Sequence, residues 1–244
     1  MILLVSGEGP GDIGSCTNGQ LQCAGSDFKA GPMAGIIDKL AEPIINYSLL
    51  DTQAMEFVSE HEVSLHSKRS PKRYPTMPGK KHGLETAFFS KNARSLAQLA
   101  KKKMADNPGT PIGAVLFHDK DNEASFHQKW KSIEDGFKLE EFEYGVPMLP
   151  NPKSEAWLIC ALKANPYQNC AKLETSLPGT DGAPHSAKKI LEDLLSRKGK
   201  TVSDLTDMIT DGLINPSRIS MHSFDCFKTR LEDVIRRMLS FPIR

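Results

Sequence analysis

Long apolar runs are missing from this 244-residue chain. No stretch approaches the roughly 18 consecutive apolar residues of a membrane helix, so no membrane partner is expected. The apolar run Ile2 to Val5 is shorter than a secretory h-region and has no basic residues before it. Cysteine is sparse, with five residues and no C-x-x-C pair. The sequence therefore predicts reduced thiols in a cytoplasmic protein, not a disulfide framework or a zinc site. Net charge is nearly absent as well: 31 basic against 30 acidic side chains leave +1. No global field draws the chain onto nucleic acid, and any such binding must come from local patches. No Gly-Lys-Ser/Thr follows a glycine-rich loop, which excludes a Walker A site. Repeats and low-complexity tracts are also lacking.

What is present is ordinary globular composition, 39% hydrophobic and 25% charged, enough for a sizeable core. Two short apolar runs stop abruptly on acidic residues. The first is Ile2 to Ser6, leading into Gly7-Glu8-Gly9-Pro10-Gly11-Asp12; the second is Ile112 to Phe117, leading into His118-Asp119-Lys120-Asp121. Such runs read as buried parallel strands. Between and after them, apolar stripes at helical spacing predict helices over 32–46, 85–105 and 124–135, with Gly136 as a C-cap. A further strand is expected at 145–150, with a helix starting just beyond it. Residues 15–29 read as a loop or mobile insertion, and Met55 to Leu65 as a loose or broken strand. Helices over 183–197 and 203–209, and a last one capped by Ser223, complete the chain. The alternation of strands and helices predicts an α/β core with a mainly parallel sheet over 1–150, followed by a mainly helical part, 151–244, packed on that core.

In open α/β sheets the ligand sits beyond the carboxyl ends of the strands. If the two acidic strands are neighbours, Glu8, Asp12, Asp119 and Asp121 converge at one edge, with Asp119 and Asp121 on one side of an extended segment. Carboxylates crowded together repel unless a cation binds between them, and an oxygen-only set suits Mg²⁺ or Mn²⁺. The glycines Gly7, Gly9, Gly11 and Gly14 also fit a dinucleotide fingerprint superficially, which makes a nucleotide-binding enzyme a weaker alternative. Against it, Glu8 and Asp12 would place negative charge beside the phosphates.

From Val63 to Leu84 no acidic residue occurs, while Lys68, Arg69, Lys72, Arg73, Lys80 and Lys81 supply positive charge. With its prolines and glycines, 63–84 reads as a basic surface loop, solvated or contacting phosphates. Lys120, Lys153, Lys188 and Lys189 are further candidates to neutralise phosphate. Lys153 leads because it adjoins Glu155 at a helix start. His118 beside the acids reads as strand-end packing.

Taken together, Val5-Ser-Gly-Glu8-Gly-Pro-Gly-Asp12 and Leu116-Phe-His-Asp119-Lys-Asp121 resemble the two signature motifs of the Toprim domain. Pro150-Asn-Pro-Lys-Ser-Glu155-Ala-Trp157-Leu, Ser186-Ala-Lys188-Lys189 and Ser223-Phe-Asp-Cys-Phe resemble bacterial Toprim-like proteins related to RloB, akin to nucleases of the overcoming-lysogenization-defect type. The resemblance implies a Toprim-like core and a Mg²⁺-dependent phosphoesterase acting on nucleic acid, with a role in phage defence and an ATPase partner. It implies Glu8 as general acid/base or metal ligand and Asp119 and Asp121 as metal ligands. Asp12 matches a frequent acidic position of the nuclease branch, and Glu155 its further carboxylate. The alternative is a non-catalytic Toprim-like subunit that binds nucleic acid or an ATPase. One departure from the pattern is that Asp121 is followed by Asn122-Glu123 where a glycine-containing turn is common.

Overall fold

The computed structural model describes residues 1–69, 82–121, 125–180, 182–183 and 185–241. Its centre is a five-stranded sheet in the order β3-β5-β1-β6-β7. Here β1 is Ile2–Gly7, β3 Gln22–Ala24, β5 Met55–Val58, β6 Ile112–Phe117 and β7 Gly145–Met148. The pairs β1/β5, β1/β6 and β6/β7 are parallel, and only the edge strand β3 runs antiparallel. The acidic strands are therefore neighbours, in register from Ile2↔Ile112 to Gly7↔Phe117.

Side chains alternate across a strand, and the two faces of the sheet are both apolar, as a sheet covered on both sides requires. Leu3, Val5, Val115 and Phe117 point into one core; Leu4, Ile112, Ala114 and Leu116 point into the other. The first core is closed by α1 (Pro32–Ile45), α5 (Ser154–Leu162), α7 (Ala187–Ser196), α8 (Leu205–Thr210) and α9 (His222–Leu239), around Trp157, Phe224 and Phe227. The second is closed by α2 (Glu60–Arg69), α3 (His82–Asp106) and α4 (Phe126–Leu139). A four-residue helix, α6 (Leu173–Ser176), follows α5. The chain is thus an α/β protein. Among the described residues no helix is long and apolar enough to cross a membrane.

Several local expectations are corrected. Residues 63–69 are not loop but the body of α2: the Ser59 hydroxyl accepts the Glu62 amide, Glu60 and Glu62 stand in the first turn, and Val63 is buried. Acid at the start and base at the end suit the helix dipole, and that polarity stabilises the helix despite its weak apolar stripe. The segment 15–29 carries β2 (Gly14–Cys16), β3 and β4 (Phe28–Ala30), with β2 and β4 pairing antiparallel. Cys16 and Cys23 form a disulfide within it, and Cys160 and Cys170 form a second, leaving Cys226 free. The expectation of reduced thiols fails because the pairing is set by tertiary approach (Cα–Cα 5.7 and 5.3 Å), which spacing does not encode. Helix α1 carries Pro43 in its last turn, runs to Ile45 and stops at Asn46 in the left-handed region, as expected for 32–46. Gly136 lies inside α4, and the cap of α9 is Met221 rather than Ser223.

Candidate functional site

The shared register brings β1, β6 and β7 to a common end, where Gly7, Phe117 and Met148 lie side by side. Glu8 leaves β1 directly into a turn in which Gly9 takes φ +76 and the Asp12 amide donates to the Gly9 carbonyl. That left-handed position favours glycine, and a Cβ there would also stand 2.5 Å from the Asp12 carboxylate. The turn folds Asp12 back over the sheet end, and the Met33 amide at the start of α1 donates to the Asp12 carbonyl.

Beyond β6 the backbone does not stay extended. Lys120 and Asp121 donate their amides to Pro150 and Pro152, and Asp121 adopts φ +51, a conformation Asp tolerates better than most residues. The two aspartates are consequently separated in role. Asp119 turns inward, with its side chain only 14% exposed, while Asp121 is 37% exposed and meets Lys153 at 3.2 Å.

The Asp119 amide donates to Glu8 Oε1 at 2.8 Å, stitching the two strand ends together. At the first turn of α5 the Ser154 amide donates to Asp119 Oδ1 (2.9 Å), and the Ser154 hydroxyl donates to Asp12 Oδ1 (2.6 Å). Ser154 is thus the clamp joining two of the acids. Sequence reasoning passed over it, although it stands inside the Asn-Pro-Lys-Ser-Glu stretch. Lys153 approaches Asp119 Oδ2 at 3.8 Å, and Glu155 lies near enough to raise the Asp119 pKa.

The electrostatics follow from this crowding. Burial, then the charges of Asp12 and Glu155, push the Asp119 carboxyl from 3.8 up to about 8, against the pull of Lys153 and the Ser154 amide. Asp12 is also raised, first by burial and then by Glu8, against the Ser154 hydroxyl, Lys153 and Lys188. Glu8 goes the other way. Burial raises it, but the His118 ring, the Asp119 amide and Lys153 outweigh that and hold it below the ordinary range. His118 is 1% exposed, and its Nδ1 sits 3.7 Å from Glu8 Oε1, an electrostatic contact rather than a hydrogen bond. Its ring packs edge-on against Phe88 and Phe89, so strand-end packing describes it well.

A second residue missed from sequence is Lys129, on α4. It is 1% exposed, donates to the Lys120 carbonyl at 2.6 Å, and lies 4.8 Å from the Phe89 ring centroid. It fixes from behind the loop that carries Asp119 and Asp121. Of the other basic candidates, Lys68 and Arg69 are exposed at the end of α2, and Lys188 and Lys189 are exposed in the first turn of α7. Lys188 acts electrostatically on Asp12. Lys72, Arg73, Lys80 and Lys81 fall outside the described residues.

The donor set is hard: carboxylate oxygens and a serine hydroxyl, with no sulfur and with His118 buried behind Glu8. That chemistry fits Mg²⁺ or Mn²⁺, and a carboxyl raised to about 8 by burial and then by Asp12 and Glu155 lies where a cation would offset the acidic charge. Among the described residues no three His, Cys, Asp or Glu side chains already stand in a chelating arrangement. Lys153 lies against two of the carboxylates instead. Two open clefts, of 660 and 620 Å³, lie elsewhere, between α4 and α9, and include none of these acids. Comparison with family models, curated proteins and solved structures finds no match for this chain.

Proposed function

We propose that the carboxylate edge binds Mg²⁺ or Mn²⁺ and that the chain is a metal-dependent phosphoesterase of Toprim type, a nuclease acting on DNA or RNA. One observation carries the reading. Acids from separate elements are driven together at the ends of parallel strands, so that Asp119 is pushed to about 8 by burial, Asp12 and Glu155. Glu8, Asp12 and Asp119 would hold the ion, with Asp121 and Glu155 beside them. Such an ion stabilises charge on phosphoryl oxygens and lowers the pKa of water. The chain's own groups would do the rest. Glu8, held ionised and 42% exposed, takes the proton of the attacking water. Lys153 moves its ammonium from the carboxylates to a phosphate oxygen. Lys68 and Arg69 contact flanking phosphates, as would Lys188. We place this nuclease in the cytoplasm, where its nucleic-acid substrate would be met.

The test is purified full-length protein with plasmid and with RNA in Mg²⁺ or Mn²⁺. Cleavage is expected, and Asp119→Ala or Glu8→Ala should lower it by at least about 100-fold, the scale of losing a general base or a metal ligand. Cleavage that survives both substitutions overturns the site.

A second reading is favoured by Lys153, whose ammonium already lies against Asp119 and Asp121. On it, the chain is a non-catalytic Toprim-like subunit that binds nucleic acid or an ATPase partner in phage defence. Metal binding without cleavage, with an ATPase co-purifying, selects this reading over the first.

A further inference from the structure

Large apolar side chains are strongly exposed at Leu21, Phe88, Leu139, Val202, Leu213 and Leu239 among the described residues. Five of the six are aliphatic and scattered, which is normal for a protein surface. Phe88 differs in kind and in place. It is 45% exposed, and its ring stands 5.6 Å from the His118 ring at 68° and 5.7 Å from the Phe89 ring at 83°. His118 in turn approaches Glu8 at 3.7 Å. A single buried ring therefore separates Phe88 from the carboxylate edge.

Edge-to-face contacts of this sort orient a ring by its quadrupole. Two of them orient the Phe88 ring, and the residue remains 45% exposed. Packing needs alone do not account for that, since Phe89 beside it is buried and fills the core. A part-exposed, oriented aromatic at the rim of a phosphate-directed site is what base stacking uses: every base has a π-face, and the platform is indifferent to sequence.

We infer that Phe88 stacks on an unpaired nucleobase next to the phosphate that reaches Glu8 and Asp119, so that the substrate is single-stranded or locally opened nucleic acid. Bases inside a duplex are covered on both faces and offer none to the ring. The inference rests on the phosphoesterase reading and adds the strand state of the substrate to it. Phe88 is a substrate-positioning residue in this account, and no chemical step is assigned to it.

The experiment measures binding of full-length protein to a labelled single-stranded oligonucleotide in EDTA, with the same oligonucleotide carrying abasic positions and with a duplex. Wild type, Phe88→Ala and Phe88→Trp are compared, and thermal melts establish that each is folded. On the intact strand Phe88→Ala should bind about 5- to 100-fold more weakly than wild type. Phe88→Trp should retain affinity, and its added indole fluorescence should be quenched on binding. With abasic positions at the site, the gap between wild type and Phe88→Ala should close. Equal binding by Phe88→Ala and wild type, an unchanged gap on the abasic strand, or a preference for duplex would overturn the stacking role. Each of those outcomes leaves Mg²⁺-dependent cleavage standing if it is seen in the parallel assay. Failure of wild type both to bind and to cut overturns the inference together with the reading beneath it.

Discussion

Asp119 joins the two strand ends through its backbone and concentrates the electrostatic tension of the site in its side chain. Its amide donates to Glu8, while its carboxyl is raised from 3.8 to about 8 by burial and by Asp12 and Glu155. A carboxyl whose folded pKa lies above its unfolded value holds its proton more tightly in the fold. Its contribution to stability is fully present below about pH 4 and is lost as pH rises towards about 8. Asp12, also raised, adds in the same direction. A bound cation reverses the sign, because it requires the ionised carboxylates and expels the proton. The gap in melting temperature between Mg²⁺-loaded and EDTA-treated protein should therefore widen as pH rises from about 5 to 8. Asp119→Asn should flatten that trend. A gap that stays constant across the range in wild type would separate Asp119 from the metal.

Helix α4 shows at the scale of an element why some of this was legible and some was not. Its buried positions are Lys129, Ile133, Gly136 and Phe137, one face of a helix. Ile133 reads from the sequence as part of an apolar stripe. Lys129 does not, because a lysine on that stripe looks like an interruption until its head is found against the Lys120 carbonyl. Gly136 likewise looks like a stop signal. Its actual reason is α3, for a Cβ at 136 would stand 2.5 Å from the Ser90 carbonyl oxygen and 2.7 Å from the Ala93 Cβ. Gly136→Ala gains up to about 1 kcal/mol in helix propensity but overpacks a helix contact, at a cost of about 1–3 kcal/mol. The obstacle is backbone, which cannot swing aside, so the cost wins. Chemical denaturation should show a lower midpoint at unchanged slope. A midpoint at or above that of wild type would mean that α3 and α4 part more easily than this contact allows.

Across the whole molecule, the parallel acidic strands were readable because each is a short apolar run ending on acid, and burial on both faces demands such runs. The convergence of Glu8, Asp12 and Asp119 follows from β1 and β6 being neighbours, which the sequence offers only as a condition. Asp121 was misjudged in geometry, since nothing local announces the left-handed turn that sends it towards Lys153. The cysteines were misjudged for a similar reason: contacts made by tertiary approach leave no periodic trace. Cys16–Cys23 closes the ribbon that follows Asp12, and Cys160–Cys170 ties α5 to the turn beyond it. Each closes a short loop, worth about 2–3 kcal/mol through the unfolded chain. Reduction of both should lower the melting temperature of a chain this size by roughly 10 °C. Denatured without reductant, oxidised protein should take up a thiol label at Cys226 alone, and after reduction at all five cysteines. Five labels without reductant would remove the disulfides from the fold. Melts that coincide with and without reductant would leave them formed but without weight in its stability. Full labelling only in protein drawn from a reducing compartment would make the bonds a property of where the chain is found, and the carboxylate edge, which uses none of these sulfurs, should then bind Mg²⁺ equally in both forms.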